Sequence, residues 1–182
     1  LAAACVLLAG FVVRPAAADQ YDALNVVLGG SIKHDANLFR VPSDANPQSD
    51  TITTGYVGLR IDKPYAQQRF QLDVTETAYR YNKNSDLNFN ALTYRGAWLW
   101  HLSPRVSGTL SADHSEALTR FDDLSGPQRN VRTIDKRAFN LDGWLFGGWH
   151  VLLGASEYEQ KNSEIFLAQG SYRSVTGEAG VK

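Results

Sequence analysis

The segment that decides the fold is Arg105–Glu116, RVSGTLSADHSE in one-letter code. Apolar or small residues at even positions alternate there with polar residues at odd positions: Val106, Gly108, Leu110 and Ala112 against Ser107, Thr109, Ser111 and Asp113. Successive side chains of a β-strand point to opposite faces of the sheet, so strict alternation predicts a strand with one apolar and one polar face.

The same period of two continues through the rest of the chain from residue 23 onwards. It predicts seven further strands: Ala23–His34, Asp50–Asp62, Gln67–Tyr81, Asn88–His101, Thr133–Phe146, Trp149–Lys161 and Ser171–Val181. The parity around Phe146–Trp149 is ambiguous, because a two-residue turn at Gly147-Gly148 would move one flank to the other face. We therefore expect an all-β fold, an antiparallel up-and-down meander of about eight strands.

The connections between these strands alternate in length. Three are tight turns, at Lys63-Pro64-Tyr65, Leu102-Ser103-Pro104 and Gly147-Gly148. Four are long and polar: Asp35–Ser49, Asn82–Leu87, Ala117–Arg132 and Asn162–Gln169. Short turns at one rim and long loops at the other are typical of outer-membrane barrels, in which a closed sheet satisfies every backbone group in lipid.

The two ends of the chain suggest a longer protein. The sequence begins at Leu1 without any Met, and it stops at Lys182 within a predicted strand. We expect residues 19–182 to form the N-terminal portion of a larger outer-membrane β-barrel whose C-terminal strands are missing. The sheet formed by these residues alone is then expected to be open and curved.

The first eighteen residues have the pattern of a secretory signal peptide. A short apolar core, Val6–Val13, precedes Arg14-Pro15 and the A-x-A-type site Ala16-Ala17-Ala18, and it is too short to span a membrane as a helix. The pattern predicts cleavage between Ala18 and Asp19. The only cysteine, Cys5, lies inside the removed segment, so the exported chain has no thiol chemistry.

Six charged residues are predicted to point from mid-strand to the polar face, and so into the lumen: Arg60, Asp73, Arg95, Asp113, Asp142 and Glu178. If the third and fourth strands pair across Asn82–Leu87, Asp73 lies opposite Arg95. These residues could form a charged lumen that contacts a polar solute, or a solvated inner face whose cross-strand pairs fix the register. The two interpretations are compatible, and the second is the simpler.

Aromatic residues cluster near the strand ends. Tyr65, Trp98, Trp100 and Trp149 lie near the short turns and are predicted to form an aromatic belt at one membrane interface. Tyr79, Tyr81, Phe89 and Phe121 lie near the long loops and could form a second belt. The alternative is that all of them are core residues of a soluble β-sandwich.

No pattern in the sequence indicates catalysis, a metal or a cofactor. The four histidines, His34, His101, His114 and His150, have no partners at metal-ligand spacing, and the Asp122-Asp123 pair fits a solvated loop. Nucleophile and phosphate-binding motifs are absent from the sequence. A net charge of −1 without a basic cluster argues against nucleic-acid binding. We therefore predict a non-enzymatic protein.

Several segments resemble one protein family. They are Asp62–Phe70, Tyr94–Leu102, Gln128–Thr133 and Gly147–His150, together with Tyr21–Asn25 and His34–Arg40. This set is similar to the EpsL-type outer-membrane proteins of exopolysaccharide biosynthesis operons, and the similarity covers nearly all of the chain after residue 18. The resemblance implies a larger barrel in the outer membrane of bacteria that pair this operon with an exosortase-type sorting system. It supplies no catalytic residues.

Pattern and resemblance together predict a porin-like protein of the bacterial outer membrane that takes part in exopolysaccharide biosynthesis or export. Its expected partners are outer-membrane lipid and, by resemblance, exopolysaccharide and the export machinery. The alternative is a soluble periplasmic or secreted β-sandwich that binds polysaccharide through Trp98 and Trp100.

Overall fold

The computed structural model describes residues 23–119, 121, 129–164 and 170–182. Its strands are β1 Leu24–Asp35, β2 Asp50–Tyr65, β3 Gln68–Tyr81, β4 Phe89–Ser103, β5 Val106–Leu118, β6 Val131–Phe146, β7 Trp149–Asn162 and β8 Tyr172–Val181. The predicted cleavage between Ala18 and Asp19, Cys5 and the Asp122-Asp123 pair lie outside the described residues.

The eight strands form one antiparallel sheet in which each strand pairs with its neighbours in sequence. This confirms the predicted all-β meander. Strands β1 and β8 are the two edges and do not pair with each other, so the described sheet is not closed. A single 3₁₀ turn, Ser85–Leu87, interrupts the β3–β4 connection. None of the helical residues in the described ranges forms a segment long and apolar enough to cross a membrane.

The short connections are two-residue turns, and two of them differ from the prediction. The first turn is at Ala66-Gln67, so the predicted turn at Lys63-Pro64-Tyr65 is wrong and these residues continue β2. Ala66 has a φ of 51°, in the left-handed region that proline cannot adopt and that such hairpin turns require. The second turn is at Pro104-Arg105, slightly beyond the predicted site.

The third turn, at Gly147-Gly148, is where the sequence predicts it, and Gly147 has a φ of 64°. The register shifts beside it, between Trp144 and Phe146, and a matching shift lies between His101 and Ser103. Each shift leaves one bulged leucine, Leu145 or Leu102. The bulge beside Gly147 resolves the ambiguous parity, because it places Leu141 opposite Leu153 and so keeps the apolar residues of both strands on one face.

The two faces of the sheet differ in chemistry. One face, here called the apolar face, carries the large hydrophobic side chains that the pairing register aligns across the sheet: Leu24, Val26, Leu28, Val57, Leu59, Leu72, Trp98, Leu110, Phe139, Leu153, Val175 and Val181. Many of them are exposed, up to 68% for Leu28 and 69% for Val175. No second sheet covers this face within the part of the chain that the structure describes.

Buried packing is concentrated at the long-loop end. Leu38, Tyr81 and Leu87 are buried together, and the residues packed around them are Phe39, Ile52, Tyr79, Leu118 and Phe121. We call this set the cover cluster. Ile52 and Tyr81 pair with each other and share the parity of Arg60 and Asp73, so the cover cluster packs on the polar face.

The prediction of a second aromatic belt is wrong, because its strand residues, Tyr79, Tyr81 and Phe89, lie on the polar face of the sheet. Tyr79 stacks on Phe89 with ring centroids 4.7 Å apart, and both residues share the parity of Asp73 and Arg95. Phe121 packs edge-on against Phe39 at 4.9 Å. These aromatic residues therefore serve the packing of the loops on the polar face, where they shed apolar surface from water.

Candidate functional site

A row of alternating charges crosses the polar face at one level of the sheet. The register aligns Arg60, Asp73, Arg95, Asp113 and Lys136 as successive cross-strand neighbours on β2 to β6. We call these five residues the charge row. Every cross-strand neighbour in it has the opposite sign, an arrangement that favours one register over its alternatives.

The charge row is held by ion pairs between adjacent strands. Arg60 Nε donates to Asp73 at 2.9 Å, and Arg95 Nε donates to Asp113 at 2.7 Å. The Lys136 ammonium lies 5.9 Å from the ring centre of Tyr158. Because these groups are largely solvated, each pair adds at most about 1 kcal/mol to stability. The charge row therefore contributes more to the strand register and to the surface potential than to the free energy of unfolding.

A hollow of about 580 Å³ lies between the charge row and the short-turn rim, on β4 to β8. We call it the polar hollow. Its polar-face side chains include Leu99, Ser107, Thr109, Asn140, Asp142, Leu152 and Glu178. Lys182 donates to Asp142 at 2.8 Å, and His150 also binds that carboxylate. A carboxylate with two basic neighbours is electrostatically compensated.

The structure places all six predicted lumen residues on the polar face. Asp73 does lie opposite Arg95, as the prediction required. Four of the six belong to the charge row, whereas Asp142 and Glu178 belong to the polar hollow. Sequence reasoning did not select Lys136 or Asn140 as candidate site residues, although alternation places both on the polar face together with Asp142.

The four residues of the first predicted belt lie near the short-turn rim, with the parity of the apolar face. Tyr65, Trp98 and Trp149 are exposed, and Trp98 stacks on Phe70 with ring centroids 5.9 Å apart. Trp100 differs, because only 6% of it is exposed. Its indole covers the cross-strand residue Gly108 and stacks on Phe139 at 6.2 Å.

The apolar face changes character toward the long loops. Beyond the hydrophobic band, the same face carries ion pairs: Arg137 with Glu157 at 3.3 Å, Arg173 with Glu157 at 2.8 Å, and Lys161 with Glu159 at 3.0 Å. The strands thus extend past the band as a charged surface. On β1 the band from Leu24 to Ile32 spans roughly 26 Å along the strand, at about 3.3 Å per residue. The strands of outer-membrane barrels are tilted by about 45° and cross the hydrocarbon with about 9–11 residues, so a nine-residue band on β1 fits such a crossing.

Asp50 organises the β3–β4 loop above the band. Its carboxylate is fully buried and accepts backbone hydrogen bonds from Thr51 (2.7 Å), Asn82 (3.1 Å), Lys83 (3.0 Å) and Asn84 (3.0 Å), with a further bond from the Asn84 amide at 2.8 Å. Burial acts to raise the pKa of Asp50, but these hydrogen bonds outweigh it and hold the pKa at about 2.

We expect Asp50→Ala to lower the free energy of unfolding by about 3 kcal/mol, because several backbone N–H groups lose their buried acceptor. The folded-state pKa lies below the ordinary value of 3.8, so this stabilisation is complete above about pH 4 and is lost as the pH falls toward 2. Urea unfolding in detergent micelles at several pH values measures it. The exposed Asp86→Asn in the same loop is the control, and a deficit in Asp50→Ala that does not shrink toward pH 2 would contradict the assignment.

Within the described ranges, no group of three or more His, Cys, Asp or Glu side chains is placed to hold a metal ion. Comparison of the chain with protein-family models, curated proteins and solved structures found no match.

Proposed function

We propose that this chain forms part of the wall of a bacterial outer-membrane β-barrel, a non-enzymatic, porin-like component of exopolysaccharide biosynthesis or export. In this proposal the apolar face contacts lipid and the polar face lines an aqueous lumen. The long loops face the cell exterior and the short turns face the periplasm. The observation that carries the proposal is a single-layer sheet with an exposed hydrophobic band on one face and a charge row on the other.

The exposed band is the strongest support for a lipid contact. In water, contiguous apolar patches larger than a few hundred Å² are rare on monomeric proteins, and a soluble sandwich would bury such a face against a second sheet. The exposed residues on β1 alone, Leu24, Val26, Leu28 and Ile32, share this face. Lipid removes the cost of exposing them.

The soluble sandwich that binds sugar through Trp98 and Trp100 has less support. Such a site needs an accessible ring face on each indole for stacking on sugar rings, whereas only 6% of Trp100 is exposed. The Trp100 indole packs over Gly108 and stacks on Phe139, and the Trp98 indole stacks on Phe70. Both indoles therefore fit a packed apolar band better than a sugar platform.

The exopolysaccharide part of the proposal rests on the resemblance of Asp62–Phe70, Tyr94–Leu102 and the other segments quoted above to EpsL-type proteins. The polar face is compatible with it. A hydrated polymer needs hydrogen-bonding groups along its path, and the polar hollow supplies hydroxyl, amide and carboxylate side chains. The proposed partners are outer-membrane lipid, the exopolysaccharide and its export machinery.

The test uses the full-length protein in its native host. We expect it to fractionate with the outer membrane, to migrate faster on SDS gels unheated than after boiling, and to be required for polysaccharide secretion. Recovery as a soluble periplasmic protein would overturn the membrane assignment. Normal polysaccharide secretion in a deletion strain would overturn the assigned process.

A further inference from the structure

The polar hollow contains hydrogen-bonding side chains without protein partners. Within the part of the chain that the structure describes, the Asn140 amide and the hydroxyls of Ser107 and Thr109 make no side-chain hydrogen bond. The charge row is different, because most of its members are ion-paired. Ligand sites place a small number of polar groups in a concavity, where these groups fix the orientation of the ligand, and about 580 Å³ lies within the usual range for such sites.

The charges of the polar hollow are unevenly compensated. Asp142 is bound by Lys182 and His150. Glu178 makes no ion pair with any residue in the described ranges, and it lines the same hollow. The hollow therefore carries a weak excess of negative potential, which repels an anionic ligand and leaves a neutral one unaffected.

Two aliphatic side chains also line the polar hollow. Leu99 and Leu152 contribute apolar surface beside the unpaired polar groups. A saccharide presents this same combination, with hydroxyl groups at its edge and C–H groups on its ring faces. A short inorganic anion presents neither.

We propose that the polar hollow is a binding site for a neutral saccharide, with Asn140, Thr109 and Ser107 as hydrogen-bonding partners and Glu178 as the group that excludes uronic-acid chains. The assignment deepens the proposed function, on which it rests for the placement of the hollow in a lumen. The polar hollow is expected to bind neutral polysaccharide with higher affinity than polyanionic polysaccharide.

The experiment is calorimetric titration of the full-length protein, folded in detergent, with a neutral α-glucan hexasaccharide and with a uronic-acid oligosaccharide of equal length. We expect the neutral sugar to bind more tightly than the uronate. Asn140→Ala should weaken it about 10-fold, because one side chain loses both a donor and an acceptor. Glu178→Gln should leave the affinity for the neutral sugar within about 2-fold and raise that for the uronate about 5-fold or more. Glu76→Gln, on the apolar face, is the matched control and should change neither affinity.

The proposal is overturned if the neutral sugar does not bind, if Asn140→Ala binds it as well as the wild type, or if the uronate binds equally well before Glu178 is changed. Circular dichroism of each variant separates lost binding from lost folding. The proposed function fails by a different observation, soluble fractionation of the protein in the cell. If the protein inserts into the membrane but binds no sugar, the saccharide-site proposal is wrong and the barrel assignment is unaffected.

Discussion

Leu110→Arg is expected to prevent most of the protein from inserting into lipid vesicles, whereas Ser111→Arg, one residue along, is expected to insert like the wild type. Leu110 lies on the apolar face between Trp98 and Phe139 and is exposed. An arginine at the middle of a lipid-facing band costs about 2–4 kcal/mol. Ser111 points to the opposite face, between Ala97 and Ala138, where a charged side chain can stay in water.

The readout is the fraction of protein that becomes resistant to protease and heat-modifiable on gels after mixing with vesicles. Leu110→Met is the control for size and should insert normally, since it stays apolar. Equal loss of insertion in Leu110→Arg and Ser111→Arg would contradict the assignment of the two faces, as would normal insertion of Leu110→Arg.

Gly108→Ala is expected to destabilise the sheet by about 3 kcal/mol, the upper part of the range for overpacked sites. A Cβ at Gly108 would overlap the indole of Trp100 and the backbone carbonyl oxygen of Asn140. The second of these cannot move without breaking the β5–β6 ladder. The loss of sheet packing therefore falls on both neighbouring strands.

Gly96→Ala is the matched control on the same face. The atoms nearest to a Cβ at Gly96 are the Ala112 carbonyl oxygen and Leu72 Cδ1, both 3.9 Å away. This substitution should change the free energy of unfolding by no more than about 0.5 kcal/mol, because it also restricts the unfolded chain. Urea unfolding in micelles compares the two variants. In a Trp100→Ala background, Gly108→Ala should cost less than in the wild type but should still destabilise, because the overlap with the Asn140 carbonyl oxygen remains. Equal effects of Gly108→Ala and Gly96→Ala would refute the packing argument.

Much of the fold follows from one local property, the alternation of apolar and polar side chains. Alternation alone predicts the strands and the faces of Asp73 and Arg95, because a strand's side-chain period depends only on its backbone. Alternation does not predict the bulges at Leu102 and Leu145. A bulge depends on the register that aligns apolar side chains across two strands, and this register is not visible within one strand. The turn at Ala66 was also missed, since a left-handed alanine has no strong sequence signal.

The loop contacts show a second limit. Tyr79 and Tyr81 were assigned to a belt from their closeness to the loops, although their parity with Asp73 places them on the polar face. Asp50 bonds the backbone of Lys83 and Asn84, which are far from it in sequence, so no local pattern identifies it. The charged members of the candidate site were predictable from parity, whereas the polar hollow depends on how β4 to β8 are arranged.

The central claim is that one face of this sheet contacts lipid and the other contacts water. The most direct measurement is a spin-label scan of residues 151–156 on β7, by single cysteine substitutions in a full-length chain lacking Cys5 and reconstituted into vesicles. The claim predicts that collisions with oxygen peak at Val151, Leu153 and Ala155, while collisions with a polar nickel chelate peak at the positions between them. Oxygen and nickel accessibilities that rise and fall together along β7 would show that neither face contacts lipid selectively, and would contradict the claim.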